Sequence, residues 1–421
     1  MATPLALFVT RHSPRPQDDG ASALLHEMMG FLNDHGVRCH VAWLDQPGDV
    51  ARAWRWHTPA ELASVCRLHF RRSIELAGTH FFPERLPLGG RTARRLGSRL
   101  QPEPAAPDEI VPFAGIPAGV PRWYRPLDRS ELAFVARLVR RLRPTALLVN
   151  YPWLGSACSV ADGATTIMLS HNVWHQKARS TAALLAPGCL DYLTARTEAA
   201  MLSAADHIVA ISDDDYAAYT ELIPPERIIL VPKAVTAEQA PGPENPDLCL
   251  YLGSRNPSNR AGLAWLLAEV WPRVLREHPA ARLRVCGRVG EGLTGLDPSV
   301  ENLGFIESPD VHYGAAAVVL VPLHHGGGVK IKLLEGLSHG KAVVTTSTGL
   351  QGLGFLAETL PPADTPVAFA AQIVALLRDP AARAARARHA RDLALARFSP
   401  ARCYGPLLAA VTGRTHAHAA R

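Results

Sequence analysis

Short apolar segments alternate with amphipathic stretches along most of the chain. The first half predicts strands over residues 5–10, 37–44, 146–151, 166–170, 208–212 and 228–231. A second series of predicted strands covers residues 248–253, 283–287, 318–322 and 342–346. Strands that alternate with helices are typical of βαβ units and parallel sheets. The pattern therefore predicts an α/β protein with two Rossmann-like domains.

Two interruptions in this pattern indicate the domain organisation. Residues 48–123 are rich in Arg, Pro and Gly, which predicts an irregular, substrate-specific insertion or a set of long loops. Residues 234–247 contain three Pro residues and one Gly and predict a linker. We predict domains over residues 1–235 and 236–398. A break at Ser399-Pro400 then starts a C-terminal helix and tail, 399–421, that packs back on the N-terminal domain.

The composition excludes a disordered chain and does not favour binding of nucleic acid. The 421 residues are 48% hydrophobic and 19% charged, which suffices for two large cores. The net charge is +6, but Arg is spread along the chain and forms no basic run with interleaved aromatics. A basic surface fits anionic lipid or a phosphate-bearing substrate equally well.

The sequence predicts a cytoplasmic protein, with peripheral contact at the inner face of the membrane left open. The N-terminal apolar run over residues 5–9 is far shorter than the roughly 20 residues of a membrane helix. The seven cysteines are scattered without a CxxC pair, which fits a reducing compartment.

Residues 320–346 contain the most informative motif. A predicted strand ends at Pro322, the glycines 326–328 follow, and a helix is predicted from Val329. Glycines allow a phosphate to approach the backbone, and the first amides of a helix attract anions. The loop is not a Walker A motif, because Val329 follows the last glycine. The motif predicts an anion site.

Three charged residues follow this loop. Lys330 and Lys332 place positive charge where a diphosphate would lie, and Glu335, one turn further on, can accept hydrogen bonds from vicinal hydroxyls such as those of a ribose. The alternative is a glycine-rich turn followed by a solvated Lys/Lys/Glu helix face.

This segment resembles the donor-site signature of the family 4 glycosyltransferases of GT-B fold. The resemblance is carried by Val321-Pro322, Gly326-Gly327-Gly328, Lys330, Lys332, Glu335-Gly336 and Gly340 through Gly352. Upstream, Tyr251-Leu252-Gly253-Ser254, Asn259, Gly262 and Trp265 are similar to the first strand and helix of the family's donor domain. The likeness is specific over residues 247–355 and looser over residues 1–235.

The resemblance implies two domains that face each other across a cleft, with the acceptor on the first and the donor on the second. It implies a retaining transfer of a hexose from a UDP- or GDP-linked sugar to a glycan, lipid or small-molecule acceptor, without a required metal or other cofactor. The implied catalytic residues are His171, Lys330 and Lys332. The implied donor-binding residues are Gly20, Ser254, Arg255, Asn259, Ile306, Gly326, Gly327, Gly328, Val329 and Glu335.

The chain departs from the family's pattern at two places. Many members carry an acid eight residues before the second Glu, where this chain has Gly327. Many also carry Arg and Lys after the first donor-domain strand, where this chain has Ser254 and Asn259, with Arg255 and Arg260 each one residue away.

Several other features have alternative interpretations. His171 and His175 form an H-x3-H pair, but without an HExxH context a metal site is not favoured. Asp213, Asp214 and Asp215 resemble an acidic metal cluster, yet capping of the following helix explains them better. Asp18 or Asp19 can likewise serve only to cap the helix that begins near Gly20.

Two other functions remain compatible with the sequence. A nucleotide-sugar 2-epimerase would share the architecture but need no acceptor site, which the loop-rich residues 48–123 weakly oppose. A non-catalytic sugar-nucleotide-binding protein would account for Gly327 and for the missing basic pair.

Overall fold

A computed structural model of the chain describes residues 3–16, 20–45, 54–83, 120–184, 190–238 and 243–413. The first half contains strands β1 (Leu5–Thr10), β2 (Arg38–Trp43), β3 (Arg55–His57), β4 (Arg67–His69), β5 (Ile74–Leu76), β6 (Thr79–Phe81), β7 (Ala146–Asn150), β8 (Thr165–Leu169), β9 (His207–Ala210) and β10 (Ile228–Leu230). Its α-helices are α1 (Gly20–Asp34), α2 (Ala60–Val65), α3 (Arg129–Leu142), α4 (Trp174–Thr181), α5 (Ala195–Leu202) and α6 (Asp213–Thr220).

The N-terminal sheet has seven strands in the order β10-β9-β8-β7-β1-β2-β4. Every neighbouring pair in it is parallel. Its central strands are buried apolar runs, as expected where helices cover both faces of a sheet. Apolar side chains on the two faces form separate clusters, and α1 packs on one face while α3 packs on the other.

The interpretation of residues 48–123 as irregular is only partly correct. Residues 55–81 form the antiparallel sheet β3-β6-β5, in addition to α2 and the edge strand β4. Each of these strands has three residues, so the alternation is too short to be recognised in the sequence. Residues 46–53 and 84–119 lie outside the described part of the chain.

The second half has strands β11 (Leu248–Leu252), β12 (Arg282–Cys286), β13 (Val300–Gly304), β14 (Val318–Val321) and β15 (Ala342–Thr345). Its helices are α7 (Pro257–Trp265), α8 (Trp271–Glu277), α9 (Asp310–Ala315), α10 (Ile331–Ser338), α11 (Pro366–Arg378), α12 (Pro380–Arg397) and α13 (Pro400–Thr412). The parallel sheet has the order β13-β12-β11-β14-β15. β13 was not predicted, because it lies at the edge and none of its side chains is fully buried.

The last helix contacts the first domain. Tyr404 on α13 donates a hydrogen bond to Glu27 on α1 (2.7 Å) and accepts one from the amide of Ala234 (3.0 Å). Cys403, Leu407 and Val411 are buried on the same side. The helix therefore packs on α1 and on the end of the first domain. A search of the described helices finds none with the length and apolar character needed to cross a membrane.

Candidate functional site

A cavity of about 440 Å³ lies between the two sheets, next to the carboxyl ends of their strands. From the first domain it is lined by Val173, Gln176, Ser180 and Asp215, and from the second by Gly326, Gly327, Gly328, Ser347, Thr348 and Gln351. Open α/β sheets bind their ligands at this end. The glycine loop identified in the sequence therefore forms one wall of an interdomain cavity.

The glycine loop contacts the first domain directly. The amide of Gly326 donates to Ser180 Oγ (3.0 Å), and the Ser180 hydroxyl donates back to the Gly326 carbonyl (3.2 Å). Gly326 and Gly328 have φ of 123° and 66°, which side chains rarely permit. A Cβ atom on Gly327 would lie 3.2 Å from Lys177 Cβ. The loop thus requires glycine both for its conformation and for its close fit.

Lys330 is the N-cap residue of α10, which begins at Ile331 and not at the predicted Val329. Its Nζ donates to the carbonyls of Gly327 (3.2 Å) and Gly328 (2.5 Å). Burial, with the positive charges of Lys177 and Lys332, lowers the pKa of Lys330 to about 7, against the opposite effect of Asp215. The ammonium group is therefore placed at the loop but lacks the charge balance that an anion would supply.

Lys332 lies in the first turn of α10 and forms a hydrogen-bonded cluster with two other predicted residues, Asn259 and Ser254. Its Nζ donates to Asn259 Oδ1 (2.7 Å), and Asn259 Nδ2 donates to the carbonyl and hydroxyl of Ser254, both at 3.1 Å. The Nζ also lies 4.9 Å from the centre of the Tyr251 ring. Burial lowers the pKa of Lys332 to about 7, against the opposing effect of Glu335.

Glu335 is oriented by a buried tyrosine. Tyr313 Oη donates to Glu335 Oε2 (3.0 Å). Burial, followed by the negative charge of Glu335, holds the pKa of Tyr313 well above its usual value, so the phenol remains a donor. The half-buried carboxylate of Glu335 keeps further acceptor capacity for a ligand.

His171 follows β8 with φ of 62°, an unusual conformation for a residue with a side chain. Its Nε2 lies 2.6 Å from Asn150 Oδ1, and Asn150 Nδ2 donates to Thr10 Oγ1 (2.9 Å). This network connects the ends of β8, β7 and β1, which are neighbours in the sheet. With Asn150 in this orientation, Nε2 of His171 carries the proton.

The remaining predicted residues differ in their positions. Gly20 packs against Ile331, because a Cβ atom there would lie 2.7 Å from Ile331 Cδ1. Val329 and Ile306 are half-buried and pack on the core. Arg255 is not part of the Lys332 cluster, since its guanidinium, 67% exposed, pairs with Glu291 at 3.4 Å. Asp18 and Asp19 lie outside the described residues.

Several residues of the site were not selected from the sequence, among them Asn150, Lys177, Asp215 and Gln351. Capping explains Asp215 incompletely, because Ser212 caps α6 by accepting from the Asp215 amide at 3.0 Å, while Asp215 lines the cavity. The available signal was its position three residues after Ser212, the predicted end of a strand.

Two family models match the chain. Residues 98–234 match a glycosyl transferase 4-like domain, and residues 246–379 match the glycosyl transferases group 1. A Klebsiella pneumoniae protein described as an uncharacterized 44.6 kDa protein in the cps region is 32% identical over 111 residues. That match spans 23% of this chain and 28% of the relative.

Solved glycosyltransferase structures resemble the whole chain. A mutant of S. aureus TarM, in complex with fondaparinux, alpha-GlcNAc-glycerol and UDP, has a TM-score of 0.67 at 10% identity, covering 97% of this chain and 99% of that one. Sucrose-phosphate synthase from Thermosynechococcus elongatus has a TM-score of 0.65 at 18% sequence identity, and the match covers 98% of this chain and 100% of the synthase chain. Anabaena HepE in complex with UDP-glucose has a TM-score of 0.63 at 12% sequence identity, and the match covers 98% of this chain and 100% of the HepE chain. These similarities confirm the predicted GT-B fold.

Proposed function

The chain belongs to the group 1 glycosyl transferases, and we propose that it transfers a hexose from a UDP- or GDP-linked sugar to a glycan, lipid or small-molecule acceptor. The observation that carries this proposal is the interdomain cavity bounded by the glycine loop, with the buried Lys330 beside it. A cavity with glycine amides and a desolvated cation suits the diphosphate of such a donor.

In this proposal the lysines stabilise the leaving diphosphate. Lys330 and Lys332 donate to neutral carbonyl and amide oxygens, which phosphate oxygens can replace as stronger acceptors. Fixed positive groups in a water-poor site stabilise charge that develops during bond breaking. The protein's own cations and amides would then supply this stabilisation, without a required metal cofactor.

Glu335 and His171 hold the two other parts of the donor. Glu335, oriented by Tyr313, accepts hydrogen bonds from the ribose hydroxyls. His171, oriented by Asn150 at the carboxyl end of β8, contacts the transferred sugar. Retention of configuration, which the family resemblance implies, is part of the proposal. Because no covalent nucleophile is assigned, retention requires the acceptor to attack on the face from which the diphosphate leaves.

The acceptor lies against the N-terminal domain, residues 1–235, and the donor against residues 236–398. UDP in the TarM and HepE complexes makes UDP-sugars the first donors to test, and the glycan ligands of TarM support a glycan acceptor. We place the reaction in the cytoplasm, with an acceptor that is soluble or presented at the inner membrane surface.

A non-catalytic sugar-nucleotide-binding protein is the second candidate. It is favoured by Gly327, which offers no carboxylate, and by Arg255, whose guanidinium pairs with Glu291. The two candidates make the same prediction for donor binding and opposite predictions for turnover. No specific observation favours the 2-epimerase.

A thermal-shift screen with UDP, GDP, ADP, TDP and their common sugars, in EDTA, tests the donor site. We expect the unfolding temperature to rise with UDP or GDP and to keep rising with concentration. Glu335→Ala should reduce that shift, whereas Glu301→Ala, which removes only a surface pair with Arg284, should not. No shift with any nucleotide would contradict the donor site. Release of UDP or GDP from the bound sugar would establish turnover and exclude the non-catalytic candidate.

A further inference from the structure

Asp215 is a buried acid whose carboxylate is not fully used by the protein. It is the third residue of α6, is 4% exposed and lines the interdomain cavity. Within the described part of the chain its Oδ2 atom has no hydrogen-bond partner. A buried acceptor without a partner is costly, so a ligand group that donates a hydrogen bond would stabilise it.

The other acids at the start of α6 are occupied elsewhere. Asp213 pairs with Arg397 at 2.5 Å, and Asp214 accepts a hydrogen bond from the amide of Gly352 (2.8 Å). Ser212 provides the helix cap. Of these three acids, only Asp215 lines the cavity, so its carboxylate is the one that a bound ligand can reach.

Asp215 provides a kind of acceptor that the described residues of the opposite cavity wall lack. The glycine loop presents backbone groups, and Ser347, Thr348 and Gln351 present neutral side chains. Among the described residues that line the cavity, Asp215 is the only acid. It faces the wall that holds Lys330, whose positive charge favours the ionised carboxylate.

The chemistry of the donor decides which group Asp215 can bind. Phosphate oxygens carry negative charge and accept hydrogen bonds, so an ionised carboxylate repels them. Sugar hydroxyls donate hydrogen bonds and pair well with a carboxylate. Burial raises the pKa of Asp215 to about 6, against the effects of Ser212 and Lys330, so most of the carboxylate is ionised at pH 7.5.

We propose that Asp215 accepts a hydrogen bond from one hydroxyl of the transferred sugar and thereby selects donors that carry that hydroxyl. This inference rests on the proposed function, since it needs a nucleotide-sugar in the cavity. It assigns the recognition of the sugar to a residue of the N-terminal domain, across the cavity from the groups proposed to hold the diphosphate.

Calorimetric titration of wild type and Asp215→Ala with UDP and UDP-glucose, and with GDP and GDP-mannose, tests the assignment. We expect Asp215→Ala to weaken the nucleotide-sugar by about 10- to 100-fold, the range of one hydrogen bond to a charged group, and to change free nucleotide affinity by less than about threefold. Glu221→Gln, at an exposed acid that ends the same helix outside the cavity, is the matched control and should leave both affinities unchanged. Equal effects on nucleotide and nucleotide-sugar would overturn the assignment, and so would no effect on either.

A set of monodeoxy donors identifies the hydroxyl. For one deoxy position, wild type and Asp215→Ala should bind the analogue equally, because the contact is absent from both. If the affinity loss from Asp215→Ala and the loss from removing a hydroxyl are additive at every sugar position, the proposal is overturned. Asp215→Asn keeps the shape and an acceptor oxygen, so it provides a folded variant should Asp215→Ala misfold. If the wild type binds no nucleotide, the proposed function fails; if it binds and Asp215→Ala behaves like wild type, only this inference fails.

Discussion

Lys330 is buried and Lys332 is half-buried, and the hydrogen-bond partners of both are neutral. Their ammonium groups donate to the carbonyls of Gly327 and Gly328 and to the amide oxygens of Gln351 and Asn259. Burial lowers both pKa values to about 7, and the dipoles of neutral partners offset this loss of hydration less than a full counter-charge would. The site therefore holds two cations that are only partly protonated at neutral pH, and a bound diphosphate would complete their protonation.

Binding of UDP, or of GDP if the screen selects it, should weaken as the pH rises from 7 to 9. Well below pH 7 both lysines are already charged, whereas above pH 7 the diphosphate must raise their pKa and the site takes up protons as the ligand binds. Asp215, with a pKa of about 6, stays ionised through this range. Calorimetry at pH 8 in two buffers of different ionisation enthalpy should show proton uptake. Binding that is independent of pH and of buffer would contradict the assignment of these lysines.

Replacing Lys330 by Met should separate stability from binding. The pKa of Lys330 is lower in the folded chain than its usual 10.5, so this lysine disfavours folding near neutral pH and does so less as the pH rises above 7. At pH 7.5, Lys330→Met should unfold in urea at an equal or higher concentration than wild type, yet bind the nucleotide at least about tenfold more weakly.

The control for this variant is Lys341→Met. Lys341 Nζ is 3.0 Å from a Glu244 carboxylate oxygen and 3.0 Å from the Gly314 carbonyl. Losing a paired buried cation should destabilise the fold by roughly 1–2 kcal/mol, discounted for the exposure of Glu244. If both variants lose the same stability, Lys330 has a structural role and the binding argument fails.

At the scale of elements, the strand, glycine loop and helix over residues 318–338 were predictable because they are contiguous. The strand β14, the turn and α10 each leave a local pattern, and only the helix start differs, by two residues. Asn150, Lys177 and Asp215 reach the site from another domain, more than 100 residues away. Nothing local to 318–338 indicates them, since their placement depends on how the two sheets face each other.

The contact between the start of α1 at Gly20 and the start of α10 is the clearest case of two elements that only the fold brings together. A Cβ atom at Gly20 would lie 2.7 Å from the tip of Ile331, the first residue of α10. Gly20→Val should therefore displace α10 from α1 and lower kcat/KM by about 10-fold or more, because displacements of about 1 Å in positioned groups have large effects. Steady-state kinetics with the donor found in the screen measures this effect.

Gly30→Ala is the control on the same helix. The nearest atom to its Cβ would be Val65 Cγ1 at 3.9 Å, an ordinary contact. Ala is also the better helix former by roughly 1 kcal/mol, so Gly30→Ala should keep activity and preserve or raise stability. Equal activity of Gly20→Val and wild type would show that α1 and α10 need not approach during turnover.

At the scale of the whole molecule, the two domains are connected through more than the linker. The amide of Gly352 donates to Asp214, the amide of Val235 donates to the Phe398 carbonyl, and Arg397 pairs with Asp213. The chain passes from the first domain to the second after β10, and it returns to the first domain between α12 and α13. Two covalent crossings side by side restrict the relative motion of the domains and help to preserve the cavity between them.

Tyr404 is where this second crossing is fixed to the first domain. Its hydroxyl donates to Glu27 and accepts from the amide of Ala234, and Glu27 also pairs with Lys233. Tyr404→Phe removes both hydrogen bonds and leaves the buried Ala234 amide without its partner. The free energy of unfolding should fall by roughly 2 kcal/mol, measured in urea, because a buried unsatisfied donor costs more than a lost surface contact.

The same variant distinguishes anchoring from a direct role in binding. Tyr404 is not among the residues that line the cavity, so Tyr404→Phe should leave the nucleotide dissociation constant unchanged while it lowers stability. Tyr192→Phe, which loses a 2.9 Å hydrogen bond to the carbonyl of Tyr124 in a less buried place, should have a smaller effect on unfolding. Unchanged stability of Tyr404→Phe would mean that apolar packing of α13 suffices to hold the crossing. Weaker nucleotide binding would mean that the position of α13 is transmitted to the cavity through the domain contacts at Asp213 and Asp214.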